Sequence, residues 1–330
     1  MSRYLITGGA GFIGSNLARF VLSQGHEVVV LDNFSTGKRE NIVDILKQIT
    51  LIEGDIRNTT DVAEAMDGCV AIFHQGALGS VPRSIDDPVT SHEVNVNGTI
   101  NILETAKALG IKRVVFASSS SVYGNQPTGS IATCNSVPKH EDMPILPISP
   151  YAASKAACEA YMQAYAAAFG LETVSLRYFN VFGPRQDPFG AYAAVIPAFV
   201  SKLMKSATGR NAPFNESPVV FGDGEQSRDF CYIDNVCQAN WLAAHAPAKH
   251  CDGRPMNIAC HESVSLNQIL GKLRELLETD IPAIYQAERA GDVKHSLADI
   301  RRAKEKIGYA PRVMFDEGLE KAIGWYRENL

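Results

Sequence analysis

Thr7-Gly8-Gly9-Ala10-Gly11-Phe12-Ile13-Gly14 follows the apolar run Tyr4-Leu5-Ile6 and precedes a helical pattern with Ile13, Leu17, Phe20 and Val21 on one face. The run predicts a buried strand, the pattern predicts a helix, and the glycines fall in the turn between them. Gly8 permits a tight turn. Gly11 lets backbone approach a phosphate with no Cβ in the way, and Gly14 allows close helix-strand packing while the helix N-terminus faces the negative charge. A second strand, Val28-Val29-Val30-Leu31, ends in Asp32, an acid near the ~20-residue offset at which a carboxylate meets adenosine ribose hydroxyls. The pattern predicts a bound dinucleotide. A carboxylate there repels an extra 2′-phosphate and favours NAD over NADP, although Lys38 and Arg39 lie nearby as cations able to receive one.

Length and composition bound the remainder. A chain of 330 residues, 45% hydrophobic, with 26 Gly and 16 Pro, buries a substantial core as one large domain with a lobe, or as two domains. Its formal charge of −5 leaves no general basic footprint, so nucleic acid is not an expected partner. Seven cysteines without close metal-type pairing fit reduced thiols serving as core filler, and no metal is expected. No apolar run reaches the ~18 residues of a membrane span, and the chain enters its first strand directly after Met1-Ser2-Arg3. The expectation is a cytoplasmic protein with no membrane partner.

Strands and helices alternate along the chain. Thr50-Leu51-Ile52-Glu53 is a third strand leading to Gly54-Asp55-Ile56. Val70-Ala71-Ile72-Phe73 is a fourth, leading to His74-Gln75-Gly76-Ala77. Pro88 precedes a long helical stretch to about Leu109, and the strand Lys112 to Ala117 runs into Ser118-Ser119-Ser120-Ser121. This is the pattern of an α/β protein of Rossmann type, a doubly wound parallel sheet, and ligands of such sheets sit beyond the strand C-termini. Asp55 and Ile56 are thereby placed for an adenine, and Gln75, Ala77 and Leu78 for the middle of the cofactor.

Ser149-Pro150 reads as an N-cap and first-turn proline. The helix they open carries Tyr151 and Lys155 four residues apart, on one face. A phenol with a pKa near ~10 is a poor base at neutral pH. A cation at ~4 Å in an effective dielectric of ~20 contributes roughly 4 kcal/mol, enough to make it usable. Lys155, assisted by the positive nicotinamide ring of the cofactor, is the expected source of that charge, and Ser119 supplies a hydroxyl to relay a proton or hold the reacting oxygen.

At this point the chain resembles the extended short-chain dehydrogenase/reductase family over essentially its full length. The resemblance rests on Thr7 to Gly14, Asp55-Ile56, His74 to Ala77, Asn95, Ser118 to Gly124, Tyr151 to Lys155 and Leu176 to Gly183. Within that family the runs Leu78 to Ser84, Gly190 to Pro197 and Ser227 to Asp234 are similar to those of bacterial UDP-N-acetylglucosamine 4-epimerases. The resemblance implies an isomerase in nucleotide-sugar metabolism and polysaccharide biosynthesis. In it Tyr151 takes the proton of the sugar 4-hydroxyl, Ser119 assists, and Lys155 holds the nicotinamide ribose. NAD accepts the C4 hydride, the 4-keto sugar swings in the pocket, and the hydride returns to the opposite face.

The same resemblance assigns the cofactor to Gly8, Gly11, Phe12, Ile13 and Gly14, with Asp32, Asn33, Asp55 and Ile56 at the adenosine end. Gln75, Ala77, Leu78, Asn95, Lys155, Tyr178 and Val181 would hold its remainder. It assigns the nucleotide of a UDP-sugar to Asn180, Val195, Phe221, Arg228, Arg289 and Asp292, the arginines suiting phosphate because a planar fork donates two parallel hydrogen bonds. Gly79, Ser80, Ser120, Asn180, Ala194 and Ser296 would surround the sugar, together with Ser119 and Tyr151. Epimerases limited to plain sugars carry a large tyrosine at the position of Ser296, so a small residue there implies room for a 2-acetamido group.

The resemblance implies an NAD-binding domain over 1–178, to which 231–258 returns, and a smaller UDP-sugar-binding lobe over most of 179–330. A homodimer paired through the two long helices, with Ala157, Tyr161 and Ala164 at the contact, goes with it. A dehydratase would carry an Asp-Glu pair, and a UDP-glucuronate decarboxylase a Glu, where this chain has Ser120-Ser121. UDP-glucuronate 4-epimerase is the alternative, and a non-catalytic nucleotide-sugar-binding protein the more distant one. The stretches 128–140 and 205–217 look longer than the family pattern and adjoin the substrate loops.

Overall fold

The computed structural model describes residues 1–126, 137–189, 193–204, 216–288 and 294–329. The first six strands are β1 (Arg3–Thr7), β2 (Glu27–Asp32), β3 (Ile49–Glu53), β4 (Ala71–His74), β5 (Arg113–Ser119) and β6 (Glu172–Tyr178). They lie in one parallel sheet whose far edge is a seventh strand, Asp252–Ile258, paired with β6. Across the sheet the order is the seventh strand, β6, β5, β4, β1, β2, β3. The chain therefore winds outward from β1 in one direction, then crosses back over it to build the other half. The crevice of such a sheet opens where the direction reverses, beyond the carboxyl ends of β1 and β4.

Near-continuous apolar runs make these strands because both faces are covered. Leu5, Val29, Ile72 and Val114 are buried on one side, and Ile6, Val30, Phe73 and Val115 on the other. Helix α1 (Phe12–Ser23) buries Leu17, Ala18 and Val21, and helix α2 is Thr59–Met66. The expected long helix after Pro88 is broken. Behind a short α3 (Val81–Asp86), α4 (Pro88–His92) passes through a single π turn at Glu93–Asn97 before α5 (Gly98–Leu109). The π turn turns Asn95 inward, and helical interruptions of this kind cluster at functional sites.

Helix α6 (Pro150–Phe169) starts as read from sequence, with the Ser149 hydroxyl accepting from Ala152 N at 3.1 Å. Later in the chain come α7 (Val195–Leu203) and α8 (Ile233–Ala244), the latter packed on α1. Small sheets follow, among them Ser227–Arg228 between Val264–Ser265 and His295–Ser296. Among the described residues no helix is long and apolar enough to cross a membrane.

The turn after β1 is sterically fixed. Gly8 has φ +66, and a Cβ built on it would stand 2.8 Å from both Cα and N of Gly76, beyond β4. Gly25 has φ +79 with nothing within 4 Å. Gly8→Ala is therefore expected to lose about 2 to 4 kcal/mol through strain and collision together, against about 1 kcal/mol for Gly25→Ala. Urea unfolding of the two variants checks the difference; equal losses would mean that the approach of Gly8 to Gly76 is not tight.

Candidate active site

Two connected clefts open above the carboxyl ends of the strands. The larger, about 620 Å³, runs from Asp32 past Gly8 and Gly11 to Lys155. The smaller, about 530 Å³, runs from Tyr151 to Arg228 and Ser296. Ile13, Gly79, Ser118, Tyr151 and Tyr178 line both, so the Tyr151 phenol stands where the two meet.

The strand ends are held by a buried hydrogen-bond chain. The Thr7 hydroxyl is 2.7 Å from His74 Nδ1 and accepts from Gly76 N at 3.0 Å, while His74 Nε2 is 3.0 Å from the Thr99 hydroxyl. Burial, with Lys155 adding repulsion, pushes the His74 pKa down to about 3, so the ring is neutral and serves as a brace. Asn95 braces the next segment. Its Oδ1 accepts from Leu78 N at 2.8 Å and its Nδ2 donates to Leu78 O at 3.2 Å and Ser154 Oγ at 2.9 Å.

Asp32 is buried, and its two carboxylate oxygens accept from Ala10 N at 2.9 Å and Phe34 N at 2.8 Å. Burial raises its pKa, and those two amides oppose the rise. Lys38, the nearer candidate for a 2′-phosphate, is 2.8 Å from Asp187, and Arg39 pairs with Glu53 while lying over the Phe34 ring. Both cations are thus committed to carboxylates.

At the junction, Lys155 is buried and its ammonium donates to Ala117 O at 2.7 Å. It stands 5.9 Å from the centroid of the Tyr151 ring. Burial pushes the lysine down to about 8. Burial also pushes the Tyr151 phenol above its ordinary value, and the hydrogen bond from Ser119 opposes this. The expected base was Tyr151 beside both Lys155 and a positive nicotinamide ring, and these directions belong to the protein without that ring. In the protein alone, burial disfavours the charged form of each group.

Most expected cofactor residues line the larger cleft: Phe12 and Gly14 with the other turn residues, Asn33, Ile56, Gln75, Ala77 and Leu78. Three differ. Asn95 lies behind Leu78, occupied as described. Asp55 turns its carboxylate to Arg57 and to Asn33 Nδ2 at 2.9 Å, which holds it down to about 2. Val181 faces the smaller cleft.

Of the expected substrate residues, Gly79, Ser119, Ser120, Asn180, Arg228 and Ser296 line the smaller cleft. Ser80 and Ala194 face the larger one. Val195, at the start of α7, and Phe221, ending the strand Val219–Phe221, form no part of either wall as described. Both adjoin the stretches 190–192 and 205–215. Arg289 and Asp292 lie outside the described residues, as do 128–136 and 205–215 of the two long stretches.

Sequence reasoning missed three groups that have no motif to announce them. Asn240, from α8, hydrogen-bonds Tyr178 and Gln75. Glu159, one turn beyond Lys155, accepts from Ser118 Oγ at 2.6 Å and pairs with Arg177 at 2.7 Å, so the β5 end and α6 are tied together beneath the junction. Lys139 enters the wall of the smaller cleft from the segment before α6.

A family model described as the NAD dependent epimerase/dehydratase family matches residues 4–259. The chain belongs to that family. NAD is accordingly its cofactor, and the residues present fit it: a turn with no room for a Cβ at Gly8, and Asp32 where a 2′-phosphate would otherwise sit. Within the family, the chain is 35% identical over 327 residues to a putative UDP-glucose 4-epimerase of Methanocaldococcus jannaschii, covering 98% of each. It is 31% identical over 342 residues to a UDP-glucuronate 4-epimerase of Thermodesulfobacterium geofontis, covering 100% of this chain and 98% of that one. A solved structure of the UDP-N-acetylglucosamine 4-epimerase from Methanobrevibacter ruminantium M1, in complex with UDP-N-acetylmuramic acid, superposes with TM-score 0.88 at 38% identity, covering 100% and 99%.

The buried Lys155 has a pH signature. Its pKa of about 8 in the fold lies below the 10.5 of a free lysine, so the unfolded chain binds this proton more strongly. The resulting destabilisation is full below about pH 8 and fades as pH rises toward about 10.5. For the protein without cofactor, any gain in melting temperature of Lys155→Met over the wild type is expected to shrink from about pH 7 to about pH 10. A difference independent of pH would mean that the ammonium is not strained.

Proposed function

We propose that this protein is an isomerase that inverts C4 of UDP-hexoses with NAD bound, and that UDP-GlcNAc and UDP-GalNAc are its preferred pair. Bound NAD supplies a reversible hydride acceptor for C4, held by the glycine turn, Asp32 and Lys155. Tyr151 stands between the two clefts, within reach of both ligands, and takes or returns the proton of the 4-hydroxyl. The Ser119 hydroxyl meets the phenol and keeps the reacting oxygen in line. The ammonium of Lys155, fixed on Ala117 O, adds its charge from below.

The observation that carries the acetamido preference is Ser296. It is 6% exposed, lies in register with Arg228 across adjoining strands, and lines the same cleft as Tyr151. A hydroxymethyl side chain in that wall leaves the volume that a bulky sugar substituent needs. Similarity to epimerases of plain, acetylated and uronic UDP-sugars supports C4 as the position that reacts.

The same reading takes the exposed face of α6, with Tyr161 and Ala164, as the contact between two copies of the chain. Ile85 and Val89, exposed on α3 and α4, extend that apolar surface. Burying it across a two-fold axis removes it from water.

The wild-type protein is expected to interconvert UDP-GlcNAc with UDP-GalNAc, and Tyr151→Phe to slow turnover by about a thousandfold, as removal of a general base does. An epimerisation assay that finds wild-type rates in Tyr151→Phe removes the phenol from the mechanism. In Ser296→Tyr, kcat/KM for UDP-GlcNAc is expected to fall by about 100-fold while UDP-glucose changes by less than about tenfold, because overpacking rejects only the larger sugar. Unchanged acetamido-sugar turnover rejects the steric account.

A further inference from the structure

Lys139 is a buried cation with no anionic partner among the described residues. It is 8% exposed, and among the described residues no carboxylate or carbonyl oxygen accepts from its ammonium. Its named neighbours are the Tyr123 ring, 5.8 Å from the ammonium to the centroid, and Arg228, a like charge that pushes the same way as burial and leaves Lys139 at about 8. The side chain is there by construction. Its backbone is fastened on both sides, Lys139 N donating to Leu297 O at 2.8 Å and Lys139 O accepting from Asp299 N at 2.9 Å and Asn257 Nδ2 at 2.8 Å.

An ammonium held out of water with no counter-charge is unfavourable, and an anion that arrives beside it removes that cost. The side chain ends in the wall of the smaller cleft beside Ser119, Ser120 and Ser121. The Ser121 hydroxyl is buried there and also lacks a hydrogen-bond partner among the described residues. Two polar groups thus wait in the wall next to Tyr151, where the hexose must lie for its C4 hydroxyl to meet the phenol.

We propose that Lys139 receives a carboxylate carried by the hexose, with the Ser121 hydroxyl as a second donor, so that acidic UDP-sugars are substrates of this cleft alongside uncharged ones. The inference rests on the epimerase reading above and extends it to a substrate class. The carboxylate takes no part in bond making. It replaces water around the ammonium and anchors the ring, which is the kind of charge-assisted contact that discriminates between otherwise equal ligands.

UDP-glucuronate and UDP-glucose form a matched pair, differing only in whether C6 is a carboxylate or a hydroxymethyl group. Binding of each, and of UDP, to the NAD-loaded protein is measured by calorimetry for the wild type, Lys139→Met and Lys139→Gln, of which either suffices if the other fails to fold. The wild type is expected to bind UDP-glucuronate at least as tightly as UDP-glucose, and the variants to lose about 100-fold of that ratio, the usual effect of removing one partner of a buried charge pair. A ratio that does not change overturns the proposal. If UDP-glucuronate, UDP-glucose and UDP all weaken together, Lys139 serves the diphosphate instead. A wild type that binds UDP-glucuronate about 100-fold more weakly than UDP-glucose overturns it too. Failure of the wild type to epimerise any uncharged UDP-sugar sinks the epimerase reading alone, because the binding ratio is read without turnover.

Discussion

The approach of two backbones, at Gly8 beyond β1 and at Gly76 beyond β4, is the constraint on which the rest depends. These strands are neighbours where the winding of the sheet reverses, so the segments leaving them diverge and open a crevice. Keeping the two turns in contact at its floor takes a residue with no Cβ and a positive φ at Gly8. The Thr7 hydroxyl, accepting from Gly76 N, and the neutral His74 lock the pair from behind. The cofactor wall, the Leu78 segment held by Asn95 and the end of β5 all take their positions from that floor.

Electrostatics in the cleft is governed by desolvation. Lys155 and Lys139 are both drawn down to about 8, and Tyr151 is pushed up, because burial disfavours whichever form is charged. A site in this condition is poised for ligands that bring charge. The paired Glu159 and Arg177 beneath it differ. They neutralise one another, and Glu159 uses its remaining capacity on Ser118, so their work is to hold β5 against α6.

Whether a residue was legible in the sequence followed from how local its task is. The glycine turn, the β2 acid and the Tyr151–Lys155 spacing each need contacts within one turn or one strand-helix unit, and each stands where its pattern placed it. Asn95 and Asp55 sit at the expected points of the chain, but their side chains turn toward protein: Leu78 and Ser154, from distant segments, occupy Asn95, while Arg57, two residues on, and Asn33 occupy Asp55. Lys38 and Arg39 stood as rivals to an NAD preference until Asp187 and Glu53 were found beside them.

By itself the sequence determined the alternation that makes a doubly wound sheet, the glycine turn, the acid after β2, and the serine, tyrosine and lysine that line the two clefts. These depend on backbone periodicity and steric rules acting over a few residues. Only the tertiary structure decided that Ser296 lies in register with Arg228, that Asn240 braces Tyr178 and Gln75, and that Lys139 lines the cleft with no anion beside it among the described residues. Each of those brings together segments tens of residues apart, and burial, which sets what a charge is worth, is a property of the packed whole.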